Sequence, residues 1–269
     1  MTTDGVKDLP TEPMARLLAI MARLRDPEGG CPWDLEQDFT TIAPYTIEEA
    51  YEVADALAQQ DMAGLQGELG DLLLQVVFHS QMAAEAGHFD FAAVANGIAE
   101  KMVKRHPHVF GDAGPRDTAG QLTAWEEQKA EERKAAGAVS VIDGIALGLP
   151  ALMRSQKLLA RAAKTGFDWP DAAAVMEKLD EEIAELKEAL AAEQGASAHA
   201  AEEIGDVMLV LVNLARKLHL DAEGLLRAAN EKFIRRFKSM EAFAQREGNE
   251  FNQLPIESQI KLWQRAKKL

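Results

Sequence analysis

The chain has 269 residues, 47% of them hydrophobic, and a formal net charge of -15 at pH 7. This length is enough for one large or two moderate domains, and the negative charge argues against nonspecific binding to nucleic acid or to an anionic membrane. The apolar runs are too short to span a bilayer, and the N-terminus lacks the apolar stretch of a signal peptide. A single cysteine, Cys31, fits a reducing compartment, so we expect a cytoplasmic protein.

Hydrophobic residues recur at helical spacing along the chain, and no segment alternates convincingly as a strand would. The first half predicts helices over residues 14–25, 46–60, 62–86, 91–105 and 118–136. The second half predicts helices over residues 151–164, 171–193, 199–220, 221–246 and 255–268. Thr46 has the position of an N-cap, with Glu49 completing a capping box. We therefore predict an all-α fold.

One acidic pattern occurs twice and shows that the chain is duplicated. The copies are Glu48-Glu49-Ala50-Tyr51-Glu52 with Glu68-Leu69-Gly70-Asp71, and Glu181-Glu182-Ile183-Ala184-Glu185 with Glu202-Glu203-Ile204-Gly205-Asp206. Basic and aromatic positions repeat as well, since Lys101, Arg105, Trp125 and Lys129 correspond to Lys232, Arg236, Trp263 and Lys267. Such a repeat predicts two tandem helical units, over residues 1–136 and 151–269, joined by a linker at residues 137–150.

The repeated carboxylates predict a metal site in each copy. Acidic residues three apart share one helix face, so an antiparallel helix pair aims four carboxylates at one point. The predicted ligands are Glu49, Glu52, Glu68 and Asp71 in the first copy, and Glu182, Glu185, Glu203 and Asp206 in the second. Crowded carboxylates raise one another's pKa unless a cation lies among them, and oxygen ligands favour Mg²⁺ or Mn²⁺.

The alternative is that these acidic residues only form a solvated helix face. The residues after Asp71 and after Asp206 are apolar nearly all round the helix, which predicts that both helices are buried. A carboxylate at the mouth of a buried helix needs a partner, because an unpaired buried charge is very costly. The metal interpretation is therefore favoured.

The repeated basic and aromatic residues predict a phosphate site beside the metal. Lysine and arginine four residues apart project from one helix face and together match a polyphosphate. Trp263 offers a stacking surface, and Lys267 follows one turn further on. The alternatives are that the basic residues only form a solvated stripe and that the tryptophan belongs to the core. Such a site suits attack of a metal-activated water on phosphorus. Glu181 and Glu202 are candidates for the general base, although each is also consistent with a solvated side chain.

Several common catalytic motifs are absent from the sequence. It contains no G-x-x-x-x-G-K-[ST] pattern and no G-x-G-x-x-G after a strand. It also contains no G-x-S-x-G nucleophile motif. The sequence therefore does not indicate a P-loop enzyme, a dinucleotide-binding enzyme or an α/β-hydrolase.

The motifs together resemble the MazG nucleoside triphosphate pyrophosphohydrolases of the all-α NTP pyrophosphatase superfamily, in the two-domain bacterial form. The resemblance covers nearly the whole chain. Beyond the carboxylates it rests on Arg25-Asp26-Pro27, Cys31-Pro32-Trp33-Asp34, Arg105-His106-Pro107-His108-Val109-Phe110, Asn230-Glu231-Lys232-Phe233 and Arg235-Arg236-Phe237. It implies a helical-bundle homodimer that uses Mg²⁺ to hydrolyse NTPs or dNTPs to the monophosphate and pyrophosphate.

The resemblance also implies roles for individual residues. In the second half the four carboxylates would bind metal, and Lys232, Arg236, Trp263 and Lys267 would hold the nucleotide. Through the repeat, the first half supplies a second candidate metal site, with Lys101, Arg105, Trp125 and Lys129 in the corresponding nucleotide positions. We expect the second half to be the main active site, because the first basic helix ends early at His106-Pro107. The chain has His199 where the family can place a lysine, so a phosphate contact there is expected to be weaker or pH-dependent.

Two other functions share these sequence features. The first is a nucleotide-sensing and metal-sensing helical interaction protein without turnover, and the second is a hydrolase of a signalling nucleotide such as guanosine tetraphosphate. Retention of the carboxylates and the basic pair in both halves favours an enzyme. Release of pyrophosphate, rather than single phosphate, from an NTP would distinguish the pyrophosphohydrolase from the sensing protein.

Overall fold

The computed structural model describes residues 8–112, 114, 117–135, 137–192 and 197–268. These residues form helices joined by turns and contain no strand, so the predicted all-α fold is confirmed. Within them, no helix is both long enough and apolar enough to cross a membrane.

The chain divides into two compact units between Trp125 and Glu126. We call them the first and the second unit. The division falls within the helix over Thr118–Ala135, upstream of the predicted linker at residues 137–150. The predicted domain bounds, residues 1–136 and 151–269, stay a prediction.

The first unit is built around a long helical hairpin. Its helices are α1 (Pro13–Leu24), α2 (Pro32–Glu36), α3 (Phe39–Gln59), α4 (Met62–Glu85), α5 (Phe91–Arg105) and α6 (Pro107–Phe110), followed by α7 (Thr118–Ala135), which contains the division. Met21 of α1, Ile42 of α3 and Val77 of α4 are almost fully buried in one apolar cluster. This cluster holds α1 against the α3–α4 hairpin that carries the first acidic motif.

Helix α3 begins further upstream than the predicted N-cap at Thr46, and that prediction is wrong. The carboxylate of Asp38 accepts bonds from the backbone N–H groups of Thr40 and Thr41, at 2.8 and 2.9 Å. The hydroxyl of Thr41 in turn accepts a bond from the Asp38 N–H at 2.8 Å. This reciprocal capping box satisfies two free donors at the true helix start. Thr46 lies inside α3, and its hydroxyl contacts the carbonyl oxygen of Ile42 at 3.4 Å.

Arg25 fastens the end of α1 to the hairpin. Its Nε lies 3.0 and 2.9 Å from the two carboxylate oxygens of Glu85, and its Nη2 lies 2.7 Å from Oε2 of Glu85. The guanidinium also donates to the carbonyl oxygens of Asp34 and Gln37. The guanidinium cation thus links α1, the α2 turn and α4 at one point.

The second unit repeats the hairpin. Its helices after α7 are α8 (Ala151–Ala163), α9 (Ala172–Ala192), α10 (Ala198–Lys217), α11 (Ala222–Arg246) and α12 (Ile256–Ala266), with a 3₁₀ turn at Phe251–Gln253. The predicted helices are present, with small shifts at their ends; Glu193, the predicted end of α9, lies outside the described residues. Val175 and Leu179 of α9 are buried with Val210 of α10, so an apolar seam joins the two helices below the second acidic motif.

The prediction that α4 and α10 are buried all round is wrong for the single chain. In α4, Leu69 is 50% exposed and Leu73 is 38% exposed. In α10, Met208 is 55% exposed and Leu211 is 47% exposed. Each helix buries one face against its hairpin partner, whereas its other apolar face reaches the surface of the chain.

Candidate active site

The hairpin of α9 and α10 brings three carboxylates of the second acidic motif together. One oxygen each from Glu182, Glu185 and Glu203 lies within 4.8 Å of the other two. Glu182 and Glu203 are only 6% and 8% exposed, whereas Glu185 is exposed. Asp206 is half-buried on α10, three residues after Glu203, and does not belong to this triad of close oxygens.

Glu203 carries the clearest sign that the cluster binds a cation. Its Oε2 is buried and has no hydrogen-bond partner among the described residues. Its Oε1 lies 3.4 Å from Nδ1 of His199, one turn earlier on α10. A buried carboxylate oxygen without a partner is costly, and a divalent cation would remove that cost.

Lys178 also contacts this site, although the repeated motifs did not indicate it. Its ammonium nitrogen lies 2.8 Å from Oε1 of Glu181 and 2.8 Å from Oε1 of Glu182. These two bonds raise the pKa of Lys178 above its ordinary value of 10.5. Its spacing of three and four residues from the glutamates was visible in the sequence, because such residues are neighbours on a helix.

The pKa of Glu185 shows the mutual repulsion that the sequence predicted. Partial loss of hydration beside the neighbouring helix raises this pKa above its ordinary value of 4.5, and the negative charge of Glu182 raises it further. The positive charge of Lys178 acts in the opposite direction without reversing the shift. The cluster thus favours a bound proton or cation near Glu185.

The first unit has a matching acidic cluster between α3 and α4. Oxygens of Glu49, Glu68 and Asp71 lie within 4.8 Å of one another. The pKa of Glu49 is raised by burial first and then by the charges of Asp71 and Glu52. Burial and the charge of Glu52 also raise the pKa of Glu68. Glu52 therefore lies beside the cluster, although it is not one of the three with the closest oxygens.

Three of the four predicted nucleotide-binding residues of the second unit, Arg236, Trp263 and Lys267, lie together. The guanidinium of Arg236 lies 5.7 Å from the centroid of the indole ring, and the ammonium of Lys267 lies 5.9 Å from it. Phe233 packs against the same ring at 5.6 Å. Lys232 is exposed one turn before Arg236 on α11. The structure thus places two cations against one aromatic ring on α11 and α12.

The corresponding residues of the first half make different contacts. The indole N–H of Trp125 donates to the carbonyl oxygen of Arg105 at 3.1 Å, and the ring packs edge-on against His106 at 5.3 Å. Trp125 therefore helps to terminate α5. Lys129, on the other side of the unit division, forms an ion pair with Glu126 at 3.0 Å. Lys101 is exposed on α5.

The two candidate general bases lie at the edge of the second acidic cluster. The side chain of Glu181 is 57% exposed and shares Lys178 with Glu182. Glu202 is exposed on α10, next to Glu203. Their catalytic role stays a prediction.

These features define a class of protein: an all-α chain with two helical hairpins, each of which clusters carboxylates that could hold a divalent metal ion. Comparison with known proteins identifies the family. The family model for the MazG nucleotide pyrophosphohydrolase domain matches residues 37–110 and 171–240, and these two ranges contain both acidic clusters. The chain belongs to this family, and the resemblance stated from its motifs is confirmed.

Two relatives match over nearly their whole length. The nucleoside triphosphate pyrophosphohydrolase of Escherichia coli (strain K12) is 48% identical over 253 residues, which are 94% of this chain and 96% of that protein. The nucleoside triphosphate pyrophosphohydrolase/pyrophosphatase MazG of Thermotoga maritima is 41% identical over 253 residues, or 93% of this chain and 94% of that protein. Family membership implies a divalent metal ion, and the acidic clusters contain the oxygen ligands that such an ion requires.

Proposed function

We propose that the chain is a nucleoside triphosphate pyrophosphohydrolase, which converts an NTP or dNTP and water to the monophosphate and pyrophosphate. The observation that carries this proposal is the cluster of Glu182, Glu185 and Glu203, with the Glu203 Oε2 atom buried and unpartnered. The names of the Escherichia coli and Thermotoga maritima relatives support the same activity.

We propose Mg²⁺ as the metal, with Mn²⁺ as a substitute, because all the clustered donors are carboxylate oxygens. Glu182, Glu185 and Glu203 would hold the ion, with Asp206 as the fourth predicted ligand. Such an ion would neutralise phosphate charge and make water more acidic. In the same hairpin, Glu181 and Glu202 are our candidates for the group that takes the proton from the attacking water.

The cations around Trp263 would hold the nucleotide. Arg236 presents a planar fork that matches phosphate oxygens, whereas Lys267 and Lys232 contribute point charges. The ring of Trp263 offers a surface for stacking. Because Arg236 and Lys267 already lie against this ring, the phosphate-binding groups are held close to it before a nucleotide arrives.

We propose that the second unit is the main catalytic half. Trp263 is flanked by two cations, whereas Trp125 is engaged at the end of α5. The first acidic cluster would then be a second metal site. Metal binding without turnover is our alternative for the first half, because the contact of Trp125 with Arg105 leaves its indole less available to a nucleotide.

We also propose that the chain forms a homodimer through the exposed apolar face of the second unit. A groove of about 510 Å³ between α8, α10 and α11 is lined almost entirely by apolar side chains, among them Leu152, Met208, Leu211, Leu218 and Leu225. Large exposed apolar patches are typical of interaction sites. A second copy would bury the α10 face that the single chain leaves exposed. A cytoplasmic location stays a prediction that rests on the single cysteine.

The proposed activity can be tested with a panel of NTPs, dNTPs and guanosine tetraphosphate in the presence of Mg²⁺. Monophosphate and pyrophosphate should be produced in equal amounts from triphosphates, and chelation of the metal should stop the reaction. Purified Glu203→Ala protein is the control for contaminating enzymes. Release of single phosphate, or no turnover of any triphosphate, would contradict the proposal.

A further inference from the structure

A basic cavity lies in the second unit, next to the Glu126 carboxylate that pairs with Lys129. It has a volume of about 350 Å³ and is walled by the end of α7, the segment over residues 138–141 and the end of α8. Four cations line it: Arg133, Lys134, Arg161 and Lys164. Its described lining contains no acidic side chain. None of the lining residues belongs to the predicted metal-binding or nucleotide-binding sets.

Helical spacing explains why these cations converge. Arg133 and Lys134 follow Ala130 by three and four residues, so all three share one face of α7. Lys164 follows Arg161 by three residues and shares its face of α8. The chain reverses after α7, where the N–H of Gly137 donates to the carbonyl oxygen of Lys134 at 3.1 Å and Gly137 adopts a φ of 87°. The reversed segment forms the third wall.

Most of this positive charge has no carboxylate partner within hydrogen-bond distance among the described residues. Arg161 donates to the carbonyl oxygens of Val141 and Asp143, which are neutral. Among the described residues, Arg133 and Lys134 form no ion pair. Only Lys164 is neutralised, by Glu126. That contact with Lys164 is the largest of the causes that lower the pKa of Glu126 to about 2.

The remaining cations repel one another. Burial lowers the pKa of Arg161 below its ordinary value of 12.5, and the charge of Arg133 lowers it further, whereas the charge of Glu126 acts in the opposite direction without reversing the shift. The structural alternative is that these cations only compensate the negative ends of α7 and α8. A helix C-terminus carries about half a negative charge, so two of them offset about one of the three cations that lack an ion pair. The carboxylate of Asp143, which accepts from the N–H groups of Val139 and Ser140 at 2.9 and 2.7 Å, offsets about one more. A net positive charge is left in the cavity, in a chain whose total charge is -15.

We propose that this cavity is a binding site for a small phosphate-bearing anion. Arg133 and Arg161 would supply planar forks for phosphate oxygens, and Lys134 would supply a point charge. The volume is within the range of small-molecule sites, about 300–1,000 Å³, and exceeds what one phosphate group needs. Ala138, Val139 and Val141 line the same cavity and would contact an apolar part of the ligand. The proposal does not depend on turnover at the acidic clusters.

Isothermal titration calorimetry of the full chain in EDTA tests this site, because chelation keeps divalent metal out of the acidic clusters. The probes are inorganic phosphate, pyrophosphate and AMP, titrated separately. We expect saturable binding that is weakened about tenfold or more in Arg133→Gln/Lys134→Gln, since charge-assisted hydrogen bonds are lost. Arg235→Gln/Lys238→Gln makes the same change of charge on α11 and should bind like the unaltered chain.

The probes distinguish the source of the phosphate group. Tighter binding of pyrophosphate would identify a polyphosphate ligand, and tighter binding of AMP would identify a nucleotide; either supports the site when Arg133→Gln/Lys134→Gln weakens it. Absence of saturable binding of all three probes would overturn the proposal. So would unaltered binding by Arg133→Gln/Lys134→Gln. Loss of binding in Arg236→Gln would then place the anion at Trp263. Circular dichroism verifies that the variants fold. The single change Lys134→Gln, at an exposed position, is a second variant, which we expect to bind the probes more weakly than the unaltered chain does.

Discussion

The ammonium nitrogen of Lys178 lies 2.8 Å from Oε1 of the buried Glu182, one helical turn further along α9. The same nitrogen lies 2.8 Å from Oε1 of Glu181. A divalent ion that binds this oxygen of Glu182 must share it with the ammonium or displace the ammonium. Lys178 thus offsets part of the carboxylate repulsion in the metal-free protein and remains available beside the site when the ion binds.

The first prediction concerns Glu203. We expect Glu203→Ala to lower turnover by at least about 100-fold, since removal of groups that only support a metal ligand already costs about 10–100-fold. Its stability should change by no more than about 1 kcal/mol, because the substitution also removes a buried oxygen without a partner. Steady-state pyrophosphate release and urea unfolding measure the two effects. Unchanged activity in the purified variant would refute the assignment of the second unit.

Glu68→Ala is the matched change in the first acidic cluster. If the second unit is the main catalytic half, this variant should retain most of its activity. Equal losses in Glu68→Ala and Glu203→Ala would contradict our preference for the second unit. Calorimetric titration of both variants with the metal ion would show whether the first cluster also binds an ion.

The second prediction concerns the raised pKa of Glu185. Because this pKa is raised in the folded chain, ionisation of Glu185 penalises the native state at pH values above it, and the penalty is absent below the ordinary value of 4.5. Metal-free Glu185→Gln should therefore be more stable than the unaltered chain at pH 7. The difference should disappear as the pH falls below about 4.5. Urea unfolding in EDTA from pH 4 to 8 measures this change.

Glu188→Gln provides the control for Glu185→Gln, because Glu188 is exposed on the same helix and outside the close triad. Its effect on stability should be smaller at pH 7. Equal stability of Glu185→Gln and the unaltered chain at pH 7 would mean that the three carboxylates do not crowd one another in solution.

The third prediction concerns the nucleotide contact at Trp263. Arg236→Lys keeps the charge but loses the planar fork, so we expect the KM for NTPs to rise by about tenfold or more. Arg235→Lys, at the exposed neighbouring position, should leave the KM unchanged. Steady-state kinetics with saturating Mg²⁺ measures both. A KM that is unchanged in both variants would exclude Arg236 from phosphate binding.

The fourth prediction concerns the exposed apolar groove. Leu211 is 47% exposed and lines it, so Leu211→Glu should convert a dimer to a monomer of 29.4 kDa without unfolding it. Light scattering after size exclusion measures the mass. Leu147→Glu is the control, because Leu147 is 84% exposed and does not line the groove. A monomeric unaltered chain, or a dimer that survives Leu211→Glu, would contradict dimerisation through this groove.

The fifth prediction concerns the ion pair between Arg25 and Glu85. The Arg25 side chain is only 9% exposed and also binds two carbonyl oxygens. Its removal leaves two part-buried carbonyl oxygens and the carboxylate of Glu85 without this donor. Arg25→Ala should therefore lower the free energy of unfolding by about 1–3 kcal/mol. Arg16→Ala, at an exposed position of α1, should change it by less than about 0.5 kcal/mol. Urea unfolding compares the two variants.

Local spacing was enough to predict most of the helices and the acidic clusters. Glu182 and Glu185 share a face because they are three residues apart on α9. Glu203 was predicted by the same rule, because it lies three residues before Asp206 on α10. The start of α3 was predicted wrongly, because Thr46 and Glu49 also fit a capping pattern. Only the backbone geometry shows that Asp38 and Thr41 satisfy each other's N–H groups.

The sequence by itself determined the duplication, the all-α fold and the residue types that can hold a metal ion, because helical periodicity and charge spacing are local properties. The tertiary structure decided which groups meet. It left Asp206 outside the close triad, placed Arg236 and Lys267 against Trp263, and exposed the outer faces of α4 and α10. These outcomes depend on how one helix packs against another, and a contact between distant segments is set by their packing rather than by their spacing along the chain.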